Sequence, residues 1–198
     1  MPDLSMLNIV PTDQWDKSLA GISNDMHGQP LNVHQLLANN PNLLKAWWPL
    51  RMYAVSGGTL GKRNAELVIL RTAVHVQQWY EWASHVERGL DCGLSLEEIE
   101  RVIDGPDAPG WSDQDAELLA AVDEQRHRDT LSPESLQRLA KYFSHDQVLD
   151  LIAIHSIYVM LGSMLNTWDV PLDARVSRAL PGSETREHFF ERLRANVN

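Results

Sequence analysis

The sequence predicts an all-α protein, a bundle of several helices. Signals for β-strands are nearly absent, whereas residues that begin and end helices recur along the chain. The 198 residues suffice for one ordinary domain, which would bury roughly 70% of the surface that the unfolded chain exposes. We therefore expect a single helical domain over residues 1–198.

Capping residues bracket the first long helices. Asn40 followed by Pro41 is typical of an N-cap with proline at the first helical position, and Gly57 ends that helix. Residues 62–91 then follow a helical pattern, which Gly93 closes.

Four later helices begin with the same chemistry, a serine whose side chain can accept a hydrogen bond from the backbone of the next turn. The pairs are Ser95 with Glu98, Ser112 with Asp115, Ser132 with Pro133 and Ser144 with Gln147. The Gly- and Pro-rich segment 104–110 is interpreted as a loop that joins two helical halves. A terminal amphipathic helix is expected near residues 183–196.

Residues 146–165 are apolar nearly all round, which is typical of a helix buried at the centre of a bundle or in a subunit interface. The longest apolar stretch, residues 151–162, is interrupted by His155 and Ser156. It is also shorter than the roughly 20 residues that cross a bilayer. Residues 1–11 lack the basic segment of a signal peptide. We expect no membrane span and a cytoplasmic location.

Composition excludes two classes of function. The formal charge is −10, from 27 acidic and 17 basic residues, and the bases are scattered, which opposes nucleic-acid binding. Cys92 is the only cysteine, so the chain can form neither an intrachain disulfide nor a Cys-x-x-Cys redox pair. Its chemistry therefore cannot use an internal dithiol.

The densest set of functional side chains lies between residues 66 and 85. If residues 78–85 are helical, one face carries a carboxylate and an imidazole, which can exchange protons near neutral pH when the carboxylate is buried. The residues of that face are Gln78, Glu81, Trp82 and His85.

Glu66 can join this set only if the chain reverses. On one unbroken helix, the separation of Glu66 from Glu81 amounts to about 22 Å at about 1.5 Å per residue. Convergence requires a sharp break between residues 72 and 78, where neither glycine nor proline indicates one.

The sequence around these residues resembles the carboxymuconolactone decarboxylase and AhpD-like alkylhydroperoxidase superfamily. The resemblance lies in Glu66-Leu-Val-Ile-Leu-Arg-Thr-Ala73, in Tyr-Glu-Trp-Ala-Ser-His85 and in Gly93-Leu-Ser-Leu-Glu-Glu-Ile99, and covers about residues 40–175. It implies an AhpD-like multi-helix bundle that assembles into a homo-oligomer, as a dimer, trimer or hexamer.

In the peroxidase branch, the pattern is a glutamate, a Cys-x-x-Cys pair and a histidine four residues after the second cysteine. Counted back from His85, the glutamate position matches Glu66, whereas the cysteine positions hold Gln78 and Glu81. Without a thiolate there is nothing for a peroxide to oxidise. We therefore exclude thiol peroxidase activity, and Cys92, outside the motif, is expected to be a small core residue.

The decarboxylase branch lacks the cysteine pair. The resemblance to it implies a lyase without cofactor or metal, acting on a small carboxylated lactone or related enolisable acid in aromatic compound catabolism. We expect His85 or Glu81 to move the proton and Glu66 to orient His85, while Arg71 or His75 holds the substrate carboxylate. The expected substrate-binding residues are Arg71, His75, Gln78, Tyr80 and Trp82.

Other interpretations stay open at this point. Glu81 and His85 could form an exposed helical pair, and Glu66 could simply pair with a nearby arginine. His75, Glu81 and His85 could bind a divalent metal, although the HExxH spacing is missing. The same pocket would also suit isomerisation, lactone hydrolysis or non-catalytic binding of a small molecule.

Overall fold

The computed structural model describes residues 3–195, in which eleven α-helices and no β-strand occur. The helices are α1 (Ala20–Asp25), α2 (Asn32–Leu37), α3 (Pro41–Ser56), α4 (Lys62–His75), α5 (Trp79–Asp91), α6 (Leu96–Asp104), α7 (Asp113–Arg128), α8 (Pro133–Leu139), α9 (His145–Thr167), α10 (Ala174–Ala179) and α11 (Arg186–Ala195). Two short 3₁₀ helices, Thr12–Gln14 and Lys17–Leu19, precede them. The predicted all-α bundle is confirmed. Asn196, the expected end of the terminal helix, lies outside the described residues.

The predicted capping residues begin their helices as expected. The side chain of Asn40 accepts a hydrogen bond from the Leu43 N–H at the start of α3, and Gly57 ends this helix with a φ of 85°. The serines before α6, α7, α8 and α9 each accept a backbone N–H from the residue three positions further on. Local chemistry therefore sets these boundaries.

Helix α4 is the centre of the bundle. Every residue from Ala65 to Val74 is buried, because α4 packs against α5, α6, α7 and α9. Its polar side chains therefore need partners inside the protein, since an unpaired buried polar group costs free energy.

Helix α9 runs beside α4 and also contacts α3, α5 and α7. By length and composition it could cross a membrane, and half of its most apolar stretch is buried inside the bundle. Its other side is less covered, because Ile152 and Met160 are only half-buried and Leu149 is exposed. The helix is therefore a core helix on one side rather than all round. The cytoplasmic location and the single-domain organisation stay predictions.

The chain reverses direction between α4 and α5, so the expected continuous helix over residues 62–91 is wrong. Val76 closes α4, Gln77 adopts a left-handed φ of 52°, and the Gln78 side chain caps α5 by accepting from the Tyr80 N–H. The backbone N–H of Gln78 donates to the Ala73 carbonyl at 2.9 Å, which satisfies an end group of α4.

Contacts with α9 hold this reversal in place. The Asn166 amide donates to the Val76 carbonyl at 2.8 Å, and its oxygen accepts from the Gln78 amide at 2.9 Å. Gly162 lets the turn approach closely, because a Cβ at that position would lie 2.6 Å from Cγ2 of Val76. The break thus depends on tertiary packing and needs no glycine or proline of its own.

Candidate active site

The reversal brings Glu66 of α4 against His85 of α5. The Oε2 atom of Glu66 lies 2.6 Å from Nδ1 of His85, and the two residues are 6% and 2% exposed. A carboxylate at Nδ1 favours the ring tautomer that carries its proton there. The free nitrogen of the neutral ring is then Nε2, which can accept a proton.

Glu81 lies on the Nε2 side of the same ring. Its Oε2 atom is 3.6 Å from Nε2 of His85, which is beyond hydrogen-bond range. Burial raises the pKa of Glu81 to about 7, against the opposing charges of Arg88 and Arg51. Near neutral pH, Glu81 is therefore about half protonated and can donate a proton.

Burial lowers the pKa of His85, and the neighbouring Glu66 carboxylate only partly counteracts that effect. The Tyr158 ring packs edge-on against the imidazole, with 5.0 Å between ring centroids. Burial raises the pKa of the Tyr158 hydroxyl far above its ordinary value, so that this hydroxyl stays protonated. The site therefore combines a neutral imidazole with a carboxyl group that titrates near neutrality.

One stripe of α5 lines a small cavity of about 20 Å³, large enough for about one water-sized group. The stripe consists of Glu81, Ser84, His85 and Arg88, which share a face at helical spacing. The other helices contribute His34, Trp47, Arg51, Tyr158 and Leu161, and the remaining wall includes Leu31, Val33 and Tyr80.

A wider cavity of about 330 Å³ shares a wall with the small one. Glu66 and Lys62 line it, and Arg51 and Arg88 line both cavities, so the two guanidinium groups stand at the junction. Within residues 3–195, neither Arg51 nor Arg88 forms an ion pair at salt-bridge distance. Arg51 lies over the Trp48 ring, 5.2 Å from its centroid.

Cys92 also lines the wider cavity and is half-buried, which corrects the expectation of a core residue. Its thiol donates to the Gly89 carbonyl at 3.3 Å. Burial raises the pKa of Cys92, and the thiolate is the nucleophilic form, so this thiol is poorly activated.

Arg71 and His75, the predicted substrate-binding residues of α4, line neither cavity beside the Glu66–His85 pair. Arg71 donates to both carboxylate oxygens of Asp123, at 2.6 and 2.8 Å, and to the backbone carbonyls of Val102 and Ile103. The Nε2 atom of His75 lies 2.6 Å from the same Asp123. These side chains join α4 to α6 and α7, which commits them to structure.

Gln78 and Trp82 are likewise not on the His85 stripe. Gln78 is the N-cap of α5 and contacts Asn166, because the helix begins only at the next residue. The indole N–H of Trp82 donates to Glu184 at 2.9 Å, on the side of α5 that packs against Phe189.

Tyr80 is the one member of the predicted binding set that lines the small cavity. Its hydroxyl donates to Asp173 and accepts a hydrogen bond from the Val33 N–H at 3.2 Å. These hydrogen bonds connect α2 and the segment before α10 to α5 at the wall of the cavity.

Six residues on the wall of the small cavity that have polar side-chain atoms were not expected from the sequence: His34, Trp47, Arg51, Ser84, Arg88 and Tyr158. Helical spacing from Glu81 could have indicated Ser84 and Arg88, because they follow it by three and seven residues. The other four come from α2, α3 and α9, and no sequence pattern links them to α5.

No group of at least three His, Cys, Asp or Glu side chains that could hold a metal ion occurs among residues 3–195. Glu66 and Glu81 approach opposite nitrogens of His85 and so do not converge on one point, while His75 is paired with Asp123. The alternative of a metal bound by His75, Glu81 and His85 has no geometric support.

Comparison with known proteins finds a family model that matches part of the chain. The sequence model of the family described as "Carboxymuconolactone decarboxylase family" matches residues 41–124. These residues run from the start of α3 into α7 and include Glu66, Glu81 and His85. This match, together with the fold shared with AhpD-like proteins, supports the resemblance to the carboxymuconolactone decarboxylase and AhpD-like superfamily. No curated protein matches the sequence.

Several solved structures share the fold of this chain. A peroxidase-related protein from Silicibacter has a TM-score of 0.72 at 16% identity, covering 89% of this chain and 96% of its own. An AhpD-core protein from Ralstonia eutropha has a TM-score of 0.72 at 17% identity, covering 88% and 96%. The debrominase Bmp8, in complex with 2,3,4-tribromopyrrole, has a TM-score of 0.70 at 15% identity, covering 90% and 96%. At these identities the similarity shows the fold alone.

Proposed function

We propose that this chain is a cofactor-independent lyase that decarboxylates a small carboxylated lactone or a related enolisable acid by proton transfer. One observation carries the proposal: His85 stands between two buried carboxylates, with Glu66 2.6 Å from Nδ1 and Glu81 3.6 Å from Nε2. The match of residues 41–124 to the carboxymuconolactone decarboxylase family supports the reaction class. The absence of a Cys-x-x-Cys pair removes the thiol chemistry of the peroxidase branch.

Arg51 and Arg88 are the groups that suit the substrate carboxylate, in place of Arg71 and His75. They line both cavities, and burial together with the charge of Arg88 lowers the pKa of Arg51. Two guanidinium groups close enough to repel each other favour an anion between them, and guanidinium matches the geometry of a carboxylate.

The residues then supply the proton that decarboxylation consumes. Loss of carbon dioxide breaks the bond from the carboxyl carbon to the ring carbon and leaves the electron pair on the ring as an enolate. Protonated Glu81 donates its proton to that carbon and becomes a carboxylate. His85 then takes up a proton from solvent at Nε2 and passes it to Glu81, while Glu66 stabilises the imidazolium that forms in between.

The test incubates the purified protein with a series of carboxylated lactones in D₂O and follows carbon dioxide release and the NMR spectrum of the product. We expect one solvent deuteron in the product for each carbon dioxide released. Glu81→Gln and His85→Gln are expected to lower kcat about 100-fold. Glu134→Gln and His145→Gln, which change the same residue types at exposed positions, are the matched controls.

The same experiment separates the other reactions. Deuterium exchange without carbon dioxide release would indicate an isomerase, and ring opening without it would indicate a lactone hydrolase. Substrate binding with no conversion by any lactone acid would contradict the lyase and favour a non-catalytic binding protein.

We also propose that the protein is a homo-oligomer. Leu50 and Tyr53 on α3 are 48% and 44% exposed, and Leu149 on α9 is 65% exposed. The Tyr53 hydroxyl donates to Asp150 at 2.7 Å, so the exposed part of α3 adjoins the first turns of α9, which carry Leu149. An exposed apolar patch suits a subunit contact. Sedimentation equilibrium tests this, and a stable monomer at micromolar concentration would contradict it.

A further inference from the structure

Three residues that line the small cavity each carry a buried side-chain atom with no hydrogen-bond partner in the protein. The atoms are Nε2 of His34, Nε1 of Trp47 and Oγ of Ser84, in residues that are 1%, 5% and 7% exposed. They come from α2, α3 and α5, so three separate helices each contribute to the wall of this cavity a residue with an unpaired polar atom. Buried polar atoms are paired in most proteins, and an exception calls for an explanation.

All three atoms can act as hydrogen-bond donors. The Leu31 backbone N–H donates to Nδ1 of His34 at 3.0 Å, so this nitrogen carries the lone pair. Burial lowers the pKa of His34 to about 3, which keeps the ring neutral with its proton on Nε2. The indole Nε1 of Trp47 is a donor only, and a serine hydroxyl can donate.

We propose that His34, Trp47 and Ser84 form a donor pocket that binds the lactone carbonyl oxygen of the substrate, the atom on which negative charge develops in the enolate. This inference rests on the proposed function, because it identifies which substrate atom the same site recognises. The cavity of about 20 Å³ accommodates one oxygen atom and not a whole ring.

The arrangement around the pocket fits this assignment. Glu81 and His85 share the α5 stripe with Ser84, and Trp47 precedes Arg51 by one helical turn on α3. A substrate whose carboxylate is held by Arg51 and Arg88 can therefore place its ring carbonyl at the donor pocket and its reacting carbon beside Glu81. Fixed donors at the site of developing charge stabilise an enolate more strongly than the ground state.

The test compares two small acids that differ in one oxygen. Butyrolactone-γ-carboxylate has a ring carbonyl, whereas tetrahydrofuroate has the same ring and carboxylate without that carbonyl. Isotope-labelled tryptophan makes the seven indole N–H signals visible by NMR, and Trp47→Phe assigns one of them. We expect the lactone acid to shift the Trp47 signal downfield, and tetrahydrofuroate to bind without that shift.

Ser84→Ala removes one donor with little change in shape, and is expected to weaken binding of the lactone acid about tenfold while binding of tetrahydrofuroate is unchanged. Ser156→Ala, an exposed helical serine whose hydroxyl donates to the Ile152 carbonyl, is the control. The indole of Trp82, already bonded to Glu184, provides an internal reference signal.

The outcomes separate this proposal from the proposed function. Binding of both acids with equal affinity and an unmoved Trp47 signal would overturn the donor pocket alone. Binding of the lactone acid with the Trp47 shift, but without conversion of any lactone acid, would support the pocket and contradict the lyase. If neither acid binds at millimolar concentration, both proposals are overturned.

Discussion

The Nδ1 atom of His85 lies 2.6 Å from Oε2 of Glu66, although 19 residues separate them in the chain. This contact exists because α4 and α5 fold back on each other at residues 76–78. It orients the imidazole, and it directs the opposite nitrogen toward Glu81. The position of one proton on the ring is thus set by the turn between two helices.

Glu66→Gln is expected to lower the pKa of His85 further. The charge of Glu66 is the group that opposes the effect of burial on this ring, and glutamine removes the charge while keeping an oxygen that can accept from Nδ1. An NMR titration of the His85 ring protons measures the change. Glu134→Gln, at an exposed position, is expected to leave that pKa unaltered. A higher pKa in Glu66→Gln would contradict the assigned role.

Glu81 makes the folded protein less stable as the pH rises. Burial raises its pKa from 4.5 to about 7, so between these values the folded state binds more protons than the unfolded state, and stability falls with rising pH. Glu81→Gln removes this pH-dependent contribution to stability. The free energy of unfolding of the variant minus that of the wild type should therefore increase by about 3 kcal/mol between pH 4.5 and pH 8.

Urea unfolding of both proteins across this pH range is the measurement. Glu134→Gln provides the baseline for loss of one exposed carboxylate. The lowered pKa of His85 acts in the opposite direction, because it makes stability rise with pH up to the ordinary histidine value. Comparison of Glu81→Gln with the wild type separates the effect of Glu81 from that of His85. If the difference in free energy of unfolding between the two proteins does not depend on pH, a raised Glu81 pKa is excluded.

Arg71 and Arg51 are expected to respond to substitution in opposite ways. Arg71→Gln breaks a buried pair with Asp123 and should cost about 3 kcal/mol of stability without weakening the binding of butyrolactone-γ-carboxylate. Arg51→Gln should weaken that binding about tenfold or more, with little effect on stability. Urea unfolding and calorimetric titration test both, and the reverse pattern would restore Arg71 as the carboxylate ligand.

Gly162→Ala is expected to destabilise the protein by about 2 kcal/mol. The new Cβ would lie 2.6 Å from Cγ2 of Val76 and push the reversal away from α9. Gly21→Ala is the matched control, since nothing lies within 4 Å of a Cβ at that helical position. The double variant Gly162→Ala with Val76→Ala should recover part of the loss. Equal stability of the two single variants would exclude the steric account.

The sequence predicts those helix boundaries that depend on local chemistry. A serine such as Ser95 or Ser144 satisfies a backbone N–H three residues away, so its role is readable from its neighbours alone. Gln77 gives no such signal, because its left-handed conformation is held through its neighbours: Val76 packs close to Gly162, and both Val76 and Gln78 are hydrogen-bonded to Asn166. The six-residue helices α1 and α2 were missed, since helices this short depend on tertiary contacts.

The candidate site was accessible to sequence analysis only in part. Glu66, Glu81 and His85 lie within one short segment of the sequence, and the structure brings them together. His34 and Tyr158 reach the same space from distant parts of the chain, and single-sequence patterns carry no information on such proximity. The pairing of Arg71 with Asp123 could not be predicted either, because Asp123 is equally remote in sequence.

The residues matched by the family, 41–124, do not contain the whole site. His34 precedes that segment and Tyr158 follows it, and both cover the ring of His85 or the space beside it. An excised fragment with those boundaries would retain Glu66, Glu81 and His85 but expose them to solvent. The shifted pKa values of Glu81 and His85 would then return toward their ordinary values. Transplanting this chemistry into another scaffold therefore requires the flanking helices as well as the motif.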